Sequence, residues 1–321
     1  MYSTVHKSVL LNESLDALGV GSGKFLRIFD GTLGGAGHSE AILSASTEVR
    51  LLAVDRDKSA IERAANKLER FSDRFIVKQA NFSDLEVLLS QFTEQELAVM
   101  LWEVEDQKCF DGILLDLGIS SDQLDDPGRG FSFKHSENLD MRMDPSVGET
   151  AEEVLNMSSY AELNRVFKRG GVGAASSFIA KEVVKRRPIG SAQAFSQICI
   201  DVYSRMNKKG GSHFATVPFQ ALRMRVNREL ESIEKFLQIA TAYLAPGGVL
   251  AVICFHSLED KLVTKAMRGW SRLSSEQFRI FDETKPTGEI LTKKAITANQ
   301  QEIQENPRSR SAMLRVFRKN I

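Results

Sequence analysis

Apolar residues along the chain fall into two rhythms. Short runs, Phe25 to Phe29, Leu51 to Val54, Phe75 to Val77, Ile113 to Leu115 and Val249 to Phe255, are separated by stretches with helical spacing. Runs this short, bounded by turn formers, read as buried strands, and their alternation with helices is the βαβ rhythm of a parallel sheet. Four runs lie within the first 116 residues and the fifth follows only after more than 130 others, so something is inserted. A turn-rich loop (Asp125, Asp126, Pro127, Gly128, Gly130) opens the insertion, and amphipathic helical segments fill it. The expectation is therefore an α/β sheet domain from residues 1–127 and 217–321, with a helical domain at 128–216.

The chain is expected to re-enter the sheet through one long helix beginning near Pro218. Phe219, Leu222, Val226, Leu230, Ile233, Leu237, Ala240 and Leu244 step by three and four, and Pro246-Gly247-Gly248 closes it before the fifth strand. Gly19, Gly21 and Gly23 read as a plain turn. Residues from Thr284 to Asn306 are polar and weakly periodic, and read as a loop or partly ordered arm.

Composition narrows the classes. The 42 Lys and Arg balance the 42 Asp and Glu, so the chain is not a purely electrostatic nucleic-acid binder, but its charges are grouped. Seven bases stand against one acid between Arg165 and Arg187, five bases and no acid lie from Arg308 onward, and Thr93 to Asp106 is acidic. Clustered bases suit phosphates. No apolar run is long enough to span a bilayer and no leader-like segment opens the chain, so a cytoplasmic protein is expected. Cys109, Cys199 and Cys254 are too scattered for a metal or redox pair and read as buried small hydrophobes. No metal is expected.

The chemistry concentrates after the first strand, in Asp30-Gly31-Thr32-Leu33-Gly34-Gly35-Ala36-Gly37-His38. Glycines at a strand-to-helix turn let the backbone approach a ligand and aim free N–H groups at it. Asp55 ends the second strand, twenty residues after Gly35, where an acid can accept both hydroxyls of an adenosine ribose. Dinucleotides and S-adenosylmethionine share this geometry. The loop lacks the third glycine of a dinucleotide loop, and Asp30 at its mouth would repel a pyrophosphate but attract a sulfonium or amino group, which favours the methyl donor.

Several longer stretches resemble one family: His6 to Glu13, the loop Asp30 to His38, Asp55-Arg56-Asp57, Phe110 to Arg142, Phe219 to Arg223, Phe255 to Asp260 and Asn306 to Ser311. Together they are similar to the ribosomal RNA small subunit methyltransferase H family, also called MraW, across nearly the whole chain. The resemblance implies an α/β fold, a Rossmann-like class I S-adenosylmethionine methyltransferase sheet with an inserted helical subdomain for substrate recognition. It implies methyl transfer to N4 of a cytosine of 16S rRNA (position 1402) in the small ribosomal subunit, and leaves a homodimer open. The implied cofactor contacts are Ala36, Gly37, His38, Asp55, Phe82, Asp116 and Gln123, to which the loop reading adds Asp30 and Gly35. The chain departs from the family pattern at Ser8 (usually Pro), Ala36 (usually Gly), Asn138 (usually Pro), Gly171-Val172-Gly173 (usually Gly-Glu-Glu) and Val217-Pro218 (usually Thr-Arg).

A cytosine amine is a poor nucleophile, so the site must align it and accept its protons as charge develops. Asp116, Ser120 and Ser121 after the fourth strand are candidate acceptors. His256 is a candidate base, against a structural reading in which Ser257 and Asp260 form a capping box and His256 only orients it. His38 is expected to hold the loop by a side-chain hydrogen bond; His135 and His213 have no metal-like neighbours. Phe131, Phe133 and Arg142 are candidates to hold a flipped base, with Arg129 beside them a candidate RNA contact. Lys185, Arg186, Arg187, Arg223, Arg308 and Arg310 are candidates for RNA phosphates. The alternatives are a ribosome-assembly factor that binds the donor with weak or no turnover, and a nicotinamide-dependent oxidoreductase.

Overall fold

The apolar runs become strands because each buries both faces. In the computed structural model, which describes residues 8–132, 138–207, 214–272 and 286–321, they form β1 (Leu26–Asp30), β2 (Val49–Asp55), β3 (Phe75–Gln79), β4 (Phe110–Asp116) and β5 (Leu244–Cys254). Alternate residues serve opposite cores: Phe29, Leu52, Leu115 and Val252 face one way, Ile28, Leu51, Leu114 and Ala251 the other. Two-sided burial is the reason these strands read as continuous apolar runs rather than alternating ones.

The sheet has the order β3-β2-β1-β4-β5-β7-β6. The first five strands are parallel, whereas β7 (Met313–Lys319) runs antiparallel between β5 and β6 (Gly288–Ile290). Register places Asp30 beside Ala53 and Leu114, two residues short of Asp55 and Asp116. Three carboxylates thus collect at the carboxyl edge of adjacent strands, where ligands of open α/β sheets bind.

The helices preceding β4 are α1 (Leu11–Leu18), α2 (Gly37–Ala45), α3 (Lys58–Leu68), α4 (Leu85–Ser90) and α5 (Glu94–Met100). Then come α6 (Ser121–Asp125), α7 (Ala151–Met157), α8 (Tyr160–Arg169), α9 (Ser176–Lys185), α10 (Ala192–Arg205) and α11 (Thr216–Asn227). The chain returns through α12 (Glu229–Tyr243), α13 (Ser257–Trp270) and α14 (Gln300–Glu305). It divides into two compact units, one of residues up to Gly118 with Leu230–Ile321, the other Ile119–Glu229. The second unit has its own core, in which Phe167 stacks on Phe195 at 5.9 Å and Phe195 meets Phe219 at 5.1 Å. The boundaries expected at 128 and 216 fall inside this unit.

Three expectations are corrected. The single long helix is two: Arg228 adopts a left-handed conformation (φ 49°) between α11 and α12. The apolar periodicity runs through this kink because both helices bury the same kind of stripe, so periodicity alone does not expose it. The second helix ends at Tyr243, since Leu244 already pairs with Phe110, and Pro246-Gly247-Gly248 lies within β5 beside its irregularity of register. The polar stretch after 284 is not all loop: it contributes β6, α14 and a bridge from Ile296 to Leu314. Cys199 and Cys254 are buried, but Cys109 is half-exposed.

Candidate functional site

The glycine loop is built from strand ends upward. Leu33 N–H donates to Val54 O (3.0 Å) and Gly34 N–H to Asp55 Oδ2 (2.8 Å), tying the loop to β2. Thr32 Oγ1 accepts from Asp116 N–H at 2.6 Å, tying it to β4. Gly31 admits the close approach these bonds need, for a Cβ there would lie 2.3 Å from Leu115 Cδ2 and 2.9 Å from Phe82 Cβ. A Cβ on Gly35 would meet nothing within 4 Å, so the loop is open on that side. Ala36 then takes a left-handed conformation (φ 58°) at the start of α2, which explains physically why glycine suits that position.

Asp30 is not at the mouth of this loop. It is 1% exposed, with Oδ2 accepting from Ser39 Oγ (2.6 Å) and Oδ1 from Thr32 N–H (3.1 Å). It buttresses the loop from beneath, and burial raises its carboxyl pKa against those hydrogen bonds. Asp55 is more open: Oδ1 accepts from Asp57 N–H (2.9 Å) and Oδ2 from Gly34 N–H. Each oxygen keeps a lone pair for a further donor. Burial raises its pKa too, with Asp57 and Asp30 adding repulsion to what the hydrogen bonds offset.

Asp116 is the most unusual side chain. Its Oδ1 is buried without a hydrogen-bond partner among the described residues, while Oδ2 lies 3.6 Å from His38 Nδ1. Burial pushes its pKa up to about 6, opposed by His38 and reinforced by the charges of Asp30 and Glu259. His38 is itself 6% exposed and Nε2 lies 3.1 Å from Val9 O. To donate there Nε2 must carry a hydrogen, which fixes the edge that the ring turns toward Val9. The expected loop-holding hydrogen bond of His38 is present, to the segment before α1.

Phe82 opens a short 3-10 turn after β3, half-buried, with its ring edge-to-face on Phe236 at 5.7 Å. His256 is the N-cap of α13: Nδ1 accepts from Glu259 N–H (3.4 Å), and Nε2 lies 3.0 Å from Glu259 Oε1 without hydrogen-bond alignment. The expected Ser257/Asp260 box is therefore displaced by one residue, to His256 and Glu259. Asp260 instead binds Arg315 through 2.7 and 3.1 Å contacts. Glu259, 1% exposed, also accepts from Phe255 N–H (2.8 Å). It and Thr32 escaped sequence reasoning; only the three-residue spacing from His256 signalled Glu259.

Within the second unit, Ser120 caps α6, its hydroxyl oxygen accepting from Gln123 N–H (3.2 Å) while Gln123 Oε1 accepts from Ser120 N–H (3.1 Å). Gln123 is buried, and Ser121 begins the helix. Arg129 donates to Arg142 O and Met143 O, with its guanidinium 5.8 Å from the Phe131 ring. Phe131 belongs to the unit's core, 6% exposed. Arg142 is held by Asp140 through paired 2.8 Å contacts, Arg186 by Asp201 and Glu182, and Arg187 by Leu155 O and Ser158 O. Arg223 forms a two-pronged pair with Glu229, both contacts 2.8 Å. These arginines spend their donors inside the unit, whereas Lys185 at the end of α9 and Arg308 and Arg310 before β7 are exposed. Phe133, His135 and His213 lie outside the described residues, as does the start of the His6 to Glu13 stretch. Among the described residues no cluster of His, Cys, Asp or Glu fits a metal ion, and no helix is long and apolar enough to cross a membrane.

The donor set fits an S-adenosyl group: an acid with spare lone pairs, a half-buried aromatic ring, and an unpartnered buried oxygen at the same sheet edge. Comparison with known proteins agrees. Residues 3–320 match the MraW methylase family. A ribosomal RNA small subunit methyltransferase H of Nostoc punctiforme is 40% identical over 98% of this chain and 94% of its own length. Proteins of that name from Nitratiruptor sp. (38%, 97% of each chain) and Syntrophotalea carbinolica (39%, 98% of each chain) are similar to the same extent.

Proposed function

The chain belongs to the MraW methylase family, and from that premise we propose that it methylates N4 of a cytosine in 16S rRNA, within the small ribosomal subunit. It is an S-adenosylmethionine-dependent methyltransferase on a Rossmann-like class I sheet. The observation that carries the proposal is the unpartnered Oδ1 of Asp116 beside the donor loop.

In this reading Asp55 accepts the ribose hydroxyls, Phe82 lies against the adenine, and Gly35, Ala36, Gly37 and His38 line the remainder of the donor. When bound, S-adenosylmethionine supplies an electrophilic methyl group. The chain's own task is to present the amine and relieve it of charge. Asp116 Oδ1 is a hydrogen-bond acceptor lacking a donor, so an amine N–H satisfies it and is oriented by it. A carboxyl with a pKa of about 6 is mostly ionised at neutral pH, yet basic enough to take the proton once methylation has made the amine acidic. His38 steadies Oδ2 and leaves Oδ1 to the substrate. Ser120 is less suited, its oxygen being engaged by Gln123 N–H. His256 acts through the capping of α13 and not as a base.

The test is transfer of tritium from labelled donor to RNA of small subunits that lack base methylation. The proposal expects incorporation by the parent protein, and for Asp55→Ala a loss of donor affinity on the order of 100-fold from two charge-assisted hydrogen bonds. Donor binding without incorporation would instead support an assembly factor.

A further inference from the structure

Resting on the RNA-substrate reading, we propose that one face of α13, extended by the chain after β6, is a second anchoring surface for the RNA sugar–phosphate backbone. Lys261, Lys265, Arg268 and Arg272 are spaced by four, three and four residues, which puts them on one helical face with Arg272 in the turn just beyond Trp270. All four are exposed, and none forms an ion pair with another described residue. Lys293, also exposed and without an ion pair among the described residues, joins Arg268 and Arg272 along the groove between α13 and the strands β6 and β7. Among the described residues, the two acids in the first turn of α13 are engaged elsewhere. Asp260 is bound to Arg315, and Glu259 is turned inward under His256.

Solvated helix faces usually mix signs, often as Glu and Lys four residues apart. A single-sign row of this length keeps its mutual repulsion unless a polyanion lies along it. From Lys261 to Arg272 the row extends roughly 16 Å at about 1.5 Å per residue, which suits several successive phosphates and not one. The row starts one turn after His256, at the sheet edge that carries Asp116, so a strand delivered to that edge continues onto α13. Neither end of the net-neutral sequence announces this surface, because these cations are spread through an ordinary amphipathic helix.

The probe is a fluorescein-labelled oligouridylate of about 20 nucleotides, followed by anisotropy from about 50 to about 200 mM KCl. It contains no cytosine and so does not present the reacting base, and the salt slope reports its phosphate contacts. Lys265→Ala/Arg268→Ala should weaken binding on the order of tenfold and make the log–log salt slope shallower by about 1.4, at about 0.7 per lost phosphate contact. Its donor affinity and thermal midpoint should match the parent's, and Lys24→Ala/Lys58→Ala should leave affinity and slope alone. Unchanged affinity and slope in the α13 variant, equal losses in the control variant, or a defect confined to binding of phosphatidylserine vesicles would each overturn the proposal. Absence of methyl transfer by the parent protein would remove the activity reading while leaving this readout intact.

Discussion

At neutral pH Asp116 holds a charge that its surroundings resist. Its pKa is raised from 3.8 to about 6 by burial, so the fold favours the protonated form. The stability this gives is complete below about pH 4 and is lost as pH rises through about 6; allowing for its partial exposure, roughly 2 kcal/mol is forgone above that. Asp116→Asn should therefore raise the thermal midpoint at pH 7.5 and leave it unchanged at pH 4, while lowering kcat on the order of 100-fold. Thermal melts at the two pH values, with single-turnover kinetics, check both halves. In the parent, kcat/KM should fall below about pH 6 as the carboxylate is lost, and a pH profile lacking that limb would count against Asp116 as the acceptor. Asp55 and Asp116 were legible from sequence because strand ends are marked by apolar runs. The inward turn of Asp30 was not, since it depends on Ser39 and on how the loop folds back.

Between elements, the close contacts make sharper demands than the periodicity suggested. A Cβ on Gly170, at the end of α8, would lie 2.1 Å from Ala221 Cβ on α11. Gly170→Ala should destabilise the helical unit by about 2 kcal/mol or more, seen as a lower denaturation midpoint. The pair of Arg223 and Glu229, 15% and 8% exposed, bridges the kink at Arg228. Removing either partner should cost about 3 kcal/mol, and removing both should cost less than the sum, which a double-mutant cycle measures. Arg223 was read from sequence as a phosphate contact because an arginine's partner six residues away across a kink is invisible to helical spacing. The strands β6 and β7 were missed for a related reason. Arg315, Arg318 and Lys319 interrupt the apolar residues of β7, and an edge region with one wet side reads as a basic tail.

For the molecule as a whole, a net charge of zero conceals a division of labour among its bases. Many of the arginines in the helical unit are internal ties, whereas among the described residues of the sheet unit a row of cations without ion pairs lies on α13. If phosphate contacts position the substrate while Asp116 handles the chemistry, raising KCl should increase KM for small subunits steeply and leave kcat nearly constant. Initial rates at several salt concentrations separate the two; a fall in kcat with constant KM would contradict that division. The fold class and the donor loop were legible in the sequence because both rest on local patterns of strand, turn and glycine. The roles of the arginines were not, because they rest on partners brought near only by tertiary packing.

The account turns on the atom that is methylated. Small-subunit RNA treated with the protein and isotopically labelled donor, digested to nucleosides and resolved by liquid chromatography with mass spectrometry, identifies it directly. N4-methylcytidine, absent with Asp116→Asn, is the predicted product; label on carbon 5 of cytosine, on a ribose hydroxyl or on another base would contradict the account.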